Sequence, residues 1–114
     1  MSKSWSRDMK LSPGTFGGTP ACHVLVEMMN NDLIPVREKH RVLSFITDAA
    51  YQFKWISSIK EFPVAERAMT LMRDHLIGRI DNMPYPEKFN SHLKNVIIHH
   101  FRRYLEEAAR TVAP

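Results

Sequence analysis

Apolar side chains recur along most of the chain at intervals of three and four residues, which is the spacing of one face of an α-helix. The clearest run steps by four, three, four and three, through Val42, Ile46, Ala49, Phe53 and Ile56. This run predicts a helix from Pro35 or Val36 to Ile59 or Lys60, which would be about 36 Å long at 1.5 Å per residue.

Three further helices are predicted by the same periodicity and by the prolines that precede or open each run. They extend from Pro20 to about Asn30, from Pro63 to about Asn82 and from Pro86 to about Arg110. The sequence shows no convincing alternating pattern for a strand and no internal repeat. We therefore predict an all-α fold of four helices, whose connections of about 3 to 5 residues favour antiparallel neighbours.

The first 19 residues do not follow this pattern. Three of the four glycines and Pro13 lie there, and such a composition sustains neither a helix nor a strand ladder. We therefore expect a flexible N-terminal arm at 1–19, followed by a single helical domain at 20–114. The alternative is an arm that docks through Trp5 and Phe16 on a partner or on a second subunit.

The composition narrows the class of protein. Hydrophobic residues make up 44% and charged residues 25%, which excludes a disordered, collagen-like or low-complexity chain. No apolar run approaches the ~18 residues that span a bilayer, and residues 1–10 lack the apolar core of a signal peptide. The single cysteine, Cys22, fits a reducing compartment. We expect a cytoplasmic protein with no membrane association.

The net charge of +4 raises the question of nucleic-acid binding. The excess divides between the second and fourth predicted helices, and basic residues such as Arg37 and Arg41 have acidic neighbours in the sequence. No lysine- or arginine-dense stripe and no helix-turn-helix pattern is visible, so direct nucleic-acid binding is disfavoured. A solvated basic face, or attraction to an acidic patch on another protein, remains open.

No residue pattern indicates catalysis. The histidines lack the spacing of a zinc site, the carboxylates are scattered, and the glycines before Pro20 lack the rest of a phosphate-binding loop. We expect no enzymatic activity, no metal and no cofactor. A structural role is expected for Cys22, with a reactive thiolate near the start of the first helix as the alternative, and Gly78 would allow close helix packing. A weaker interpretation makes the cluster of His99, His100, Arg102 and Arg103 a pH-sensitive or anion-contacting patch.

The second predicted helix has more apolar surface than a core this small readily covers. Its additional large side chains lie on a face that adjoins the buried stripe. Aromatic residues near arginine are typical anchors of protein interfaces. The pattern therefore predicts a homodimer, a surface for another protein, or both. The candidate contact residues are Phe45, Tyr51, Trp55, Ile59 and Phe62, with Arg37 and Arg41 at the rim.

The arm, the helix pattern and the segments Ile34–Lys39, Ala49–Trp55 and Leu105–Glu107 resemble the small helical anti-activators of bacterial quorum sensing. The resemblance implies a homodimer that binds the ligand-binding domain of a LuxR-type, LasR-like transcription factor. Such a protein would occupy the receptor's dimerisation surface and block DNA binding. The alternatives are a small basic nucleic-acid-associated protein or a phage-type protein inhibitor of a host factor.

Overall fold

The computed structural model describes residues 20–112 of the chain, and these residues form four α-helices without a strand. The helices are α1 (Pro20–Met29), α2 (Val36–Ser57), α3 (Phe62–Asp81) and α4 (Glu87–Val112). The predicted all-α, four-helix class is confirmed, and every helix bound lies within three residues of its predicted position. The expected arm at 1–19 lies outside the described residues.

The longest helix, α4, packs against each of the other three, and α2 and α3 also contact each other. Its predicted apolar stripe is buried at Phe89, Leu93, Val96, Ile97, Phe101 and Ala108. Each large apolar side chain removed from water in this way contributes about 1.5–3 kcal/mol. The stripe of α4 is therefore the centre of the core.

The predicted stripe of α2 is buried as well, at Val42, Ile46, Ala49, Phe53 and Ile56. Phe45, which the sequence placed on the adjoining face, is also in the core, with only 8% of its surface exposed. Because α2 packs against both α3 and α4, its buried arc is wider than the single stripe.

Helix α2 ends at Ser57, earlier than predicted, and two serine hydroxyls turn back onto its last turn. Ser57 Oγ donates to the carbonyl of Lys54 and Ser58 Oγ to the carbonyl of Trp55, both at 2.6 Å. Such bonds offer the backbone an alternative to further helix. The helix is therefore about 33 Å long.

The connector between α3 and α4 is held against the rest of the fold by three contacts. Tyr85 packs edge-on against Phe89, with ring centroids 5.1 Å apart, and Asn90 Nδ2 donates to the carbonyl of Met83 at 3.2 Å. The Tyr85 hydroxyl donates to Glu38 Oε1 on α2 at 2.9 Å. These contacts fix the connector beside the first turns of α2.

Gly78 does not serve close packing, so that prediction is wrong. It is exposed on α3, and a Cβ atom added there would meet no atom within 4 Å, leaving out its chain neighbours and the helix's own nearby backbone. None of the four described helices is both long enough and apolar enough to cross a membrane.

Candidate partner-binding surface

A groove with a volume of about 930 Å³ lies between α2 and α3. The buried side chains of Phe45, Ala49 and Leu76 form its floor together with the half-buried Met72. Residues 83–85 of the α3–α4 connector border it at one end. The groove thus has an apolar floor built by two helices and a wall built by a fixed connector.

Four of the seven predicted contact residues line this groove: Arg37, Arg41, Phe45 and Tyr51. The two arginines and Tyr51 are exposed, and Tyr51 exposes 69% of its surface. Phe45 lies beneath the guanidinium of Arg79, whose central carbon is 5.1 Å from the ring centroid. Phe45 is therefore part of the floor and not the exposed anchor that the sequence suggested.

The other three predicted residues lie outside the groove lining. Trp55 is one helical turn beyond Tyr51 and exposes 70% of its surface. Ile59 and Phe62, at the α2–α3 connection, are half-buried and pack against the core. The exposed aromatic anchors of α2 are consequently Tyr51 and Trp55.

These anchors belong to one stripe of exposed residues along α2, which we call the outer face. Its members recur at steps of three or four residues: Arg37, Arg41, Ser44, Asp48, Tyr51 and Trp55. From first to last the outer face extends about 27 Å. It lies along the helix beside the groove and shares most of its residues with the groove wall.

The groove carries more positive than negative charge. It is lined by Arg37, Arg41 and Arg79, with His40 and His75, against the carboxylates of Glu38 and Asp48. Glu38 is already engaged, because it accepts the Tyr85 hydrogen bond and pairs with Arg41 at 3.5 Å.

The described part of the chain places no carboxylate within 4.0 Å of the guanidinium of Arg37 or Arg79. Burial, together with the hydrogen bond to Glu38, raises the pKa of Tyr85 to about 12. The Tyr85 hydroxyl therefore stays protonated at neutral pH and keeps Glu38 as its acceptor.

A second, smaller cavity of about 460 Å³ adjoins the groove at the end of the bundle, and we call it the apolar pocket. Its lining includes Met28, Met29, Ile34 and Phe89, and Leu33 lies at its edge with 88% of its surface exposed. The Leu33 amide donates to Asn31 Oδ1 at 2.8 Å, an interaction that stabilises the turn carrying this side chain.

The histidine and arginine cluster of α4 is not one exposed patch. His100 is 8% exposed and its Nδ1 has no hydrogen-bond partner among residues 20–112, whereas Arg102 and Arg103 are exposed. Burial, with smaller effects of His99 and Arg103, lowers the pKa of His100 to about 4. His100 is therefore neutral at physiological pH.

Other candidate chemistry is equally inaccessible or dispersed. Cys22 is fully buried in α1. Between residues 20 and 112, no group of three or more histidine, cysteine or acidic side chains is placed to hold a metal ion. The concave surfaces between α2, α3 and the connectors are thus the candidate site.

The α3 side of the groove was missed by the sequence analysis. Met72, His75, Leu76 and Arg79 recur at helical spacing, which identifies one face of α3 but not the helix that it meets. Only the packing of α3 on α2 brings Arg79 over Phe45. No local signal in the sequence marks that contact.

Comparisons of the chain with protein-family models, with curated proteins and with solved structures found no match. The surface combines an apolar floor, two exposed aromatic rings and the guanidinium groups of Arg37 and Arg79, which have no acidic partner among the described residues. Groups of this kind contribute to protein interfaces in general through burial, stacking and charge.

Proposed function

We propose that this protein is a non-enzymatic anti-activator that binds the ligand-binding domain of a LuxR-type transcription factor. The bound protein blocks dimerisation of the receptor and thereby its binding to DNA. The proposal joins the sequence resemblance to one structural observation, the exposed aromatic pair of α2 beside a cationic groove.

Tyr51 and Trp55 carry the proposal. Each exposes more than two-thirds of its surface although each is large enough to contribute strongly to a core. Tyrosine, tryptophan and arginine are the residues most enriched where binding energy concentrates in interfaces. Because the pair lies one turn apart on a single helix, it presents a rigid contact with little conformational entropy to lose.

In the same proposal the protein is a cytoplasmic homodimer, as the resemblance implies. A standard interface buries about 800 Å² on each partner, so the outer face of α2 supplies part of the interface with the receptor. The remaining contacts come from the groove and from the half-buried residues at the α2–α3 connection, which include Ile59 and Phe62.

Isothermal titration of the purified protein into a LasR-like ligand-binding domain tests the proposal. We expect saturable binding that Trp55→Ala weakens by about tenfold to a hundredfold, as truncation of an interface anchor does. The matched control is Leu71→Ala, which removes a side chain of similar exposure, 65%, from α3 away from the groove lining. Absence of binding, or equal losses in the two variants, would refute the proposed surface.

A further inference from the structure

The groove and the apolar pocket are adjacent cavities along α2 that meet at the Tyr85–Glu38 contact. Their linings share five residues, which are Glu38, Arg41, Val42, Pro84 and Tyr85. We call the combined depression the trough. We propose that the trough binds an acidic amphipathic helix of a partner protein, with a bulky apolar side chain of that helix in the apolar pocket. This inference rests on the proposed function, because it names the chemistry of the partner segment.

The apolar pocket is the anchoring end of the trough. Its volume of about 460 Å³ falls within the range of about 300–1,000 Å³ of cavities that bury ligands. Methionine side chains, here Met28 and Met29, adapt their shape to an inserted group. The exposed Leu33 at the edge adds a contact for the anchor as it enters.

The middle of the trough supplies the charge. Arg37 and Arg41 lie one helical turn apart on α2, and Arg79 faces the same groove from α3. Two of these guanidinium groups, those of Arg37 and Arg79, have no acidic partner in the described structure. Carboxylates spaced one turn apart on a bound helix would pair with these guanidinium groups. A planar guanidinium group can form two parallel hydrogen bonds to one carboxylate.

The length of the trough fits a helix. Its α2 side extends from Pro35 to Gln52, which is about 26 Å along the helix axis. A bound helix of about 17 residues has the same length. Grooves of this kind recognise the apolar face of an amphipathic helix through side chains spaced three and four residues apart.

Charge disfavours the two other occupants. The N-terminal segment carries Lys3, Arg7 and Lys10 against Asp8, so it repels a cationic trough. A second copy of the chain brings a net charge of +4 to the same surface. An acidic segment of a different protein is the complementary occupant.

The test uses the full-length protein and a fluorescein-labelled peptide of about 17 residues with blocked ends. The peptide has leucines near one end and glutamates at every third or fourth position of an alanine and glutamine background. One control peptide replaces the leucines with serine, and another replaces the glutamates with lysine. Fluorescence anisotropy measures binding at low and high salt.

We expect the acidic leucine peptide to bind and each control peptide to bind at least about tenfold more weakly. Arg79→Glu and Arg37→Glu are each expected to weaken binding by about tenfold, and salt to weaken it in the unmodified protein. Arg67→Glu, on an exposed part of α3 outside the groove lining, is the matched control and is expected to bind normally.

Three results would overturn the proposal. They are absence of binding, equal binding of the lysine peptide, and an affinity that neither Arg79→Glu nor Arg37→Glu changes. Competition by a synthetic peptide of residues 1–19 would assign the trough to the N-terminal segment instead. Dissociation of a protein dimer by the acidic peptide would assign it to a second copy.

The two proposals fail separately. If a LasR-like domain binds through Trp55 but the acidic peptide does not bind, the trough proposal is wrong. The proposed function then still stands. If the acidic peptide binds through Arg79 but the LasR-like domain does not bind, the proposed function is wrong. The trough proposal then still stands.

Discussion

The Tyr85–Glu38 hydrogen bond is the single polar contact that joins the α3–α4 connector to α2 among the side-chain hydrogen bonds of the described residues. Glu38 is half-buried, with 23% of its side chain exposed, and it also pairs with Arg41. Both residues lie in the lining that the groove and the apolar pocket share. We therefore expect this contact to hold the shape of the trough and to contribute to the stability of the fold.

Replacement of Tyr85 by phenylalanine removes the hydroxyl and leaves Glu38 with Arg41 alone. We expect the free energy of unfolding to fall by about 1.5–3 kcal/mol, the range for a hydrogen bond to a charged group. Urea denaturation measures the change. The control is Tyr51→Phe, because Tyr51 is exposed and the change should be close to zero. Equal effects of the two substitutions would show that the hydrogen bond does not contribute.

His100 makes stability depend on pH. Its pKa is about 4 in the folded chain against an ordinary value of 6.5, so the unfolded chain takes up the proton first. The contribution of His100 is therefore intact above about pH 6.5 and is lost as the pH falls towards 4, by about 3 kcal/mol in total.

Denaturation of the unmodified protein at several pH values measures this loss, and His100→Gln should flatten the pH dependence over that range. His23→Gln is the control, since His23 is exposed on α1. A pH dependence that persists unchanged in His100→Gln would contradict the assignment to this side chain.

At the scale of helices, Gly78 is a position where another residue would make α3 more stable. It is exposed within the helix, and an added methyl group would meet no neighbour outside the helix's own nearby backbone. Gly78→Ala should therefore raise the free energy of unfolding by about 1 kcal/mol, through helix propensity and a less flexible unfolded chain. Thermal unfolding measures the gain, and Ala109→Gly, exposed on α4, should show a loss of similar size. Destabilisation by Gly78→Ala would mean that Gly78 has a packing role.

Two residues on the outer face of α2 are expected to affect different rate constants of binding. Arg37→Glu should slow association with an acidic partner about tenfold at low salt, because exposed charge steers the encounter. Trp55→Ala should instead speed dissociation, because an anchor is lost from the bound state. Surface plasmon resonance at two salt concentrations distinguishes the two. A salt-independent effect of Arg37→Glu would contradict steering.

The helices were predictable because their signals are local. The three- and four-residue steps of Val42, Ile46, Ala49 and Phe53 define a buried stripe without reference to the rest of the chain. The burial of Phe45 was not predictable, because it depends on contact with Arg79 of another helix. The end of α2 was predicted two to three residues late, because the apolar pattern continues through Ile59 while the helix ends at Ser57.

The candidate site was also predictable only in part. Arg37, Arg41 and Tyr51 were identified from the sequence because they lie on one helix with recognisable spacing. The groove itself, the apolar pocket and the part played by Arg79 arise from packing between elements far apart in the chain. Exposure also had to be observed, since a sequence pattern cannot tell which side chains of a wide apolar helix the core will cover.

At the scale of the whole molecule, the net charge of +4 is distributed in a way that suits a protein partner better than a nucleic acid. The arginines of the trough are interleaved with Glu38 and Asp48, and the floor between them is apolar. Nucleic-acid surfaces instead gather several phosphate contacts along a basic stripe. We therefore expect charge to guide association with a protein partner, and burial of the aromatic side chains to stabilise the proposed complex.

The most direct test of the central claim is sedimentation velocity of a LasR-like ligand-binding domain with and without excess protein. We expect the receptor dimer to disappear and a complex of one receptor domain with this protein to take its place. Trp55→Ala should leave the receptor dimer largely intact, whereas Leu71→Ala should act like the unmodified protein. A receptor dimer that persists unchanged in the presence of excess unmodified protein would refute the proposed anti-activator function.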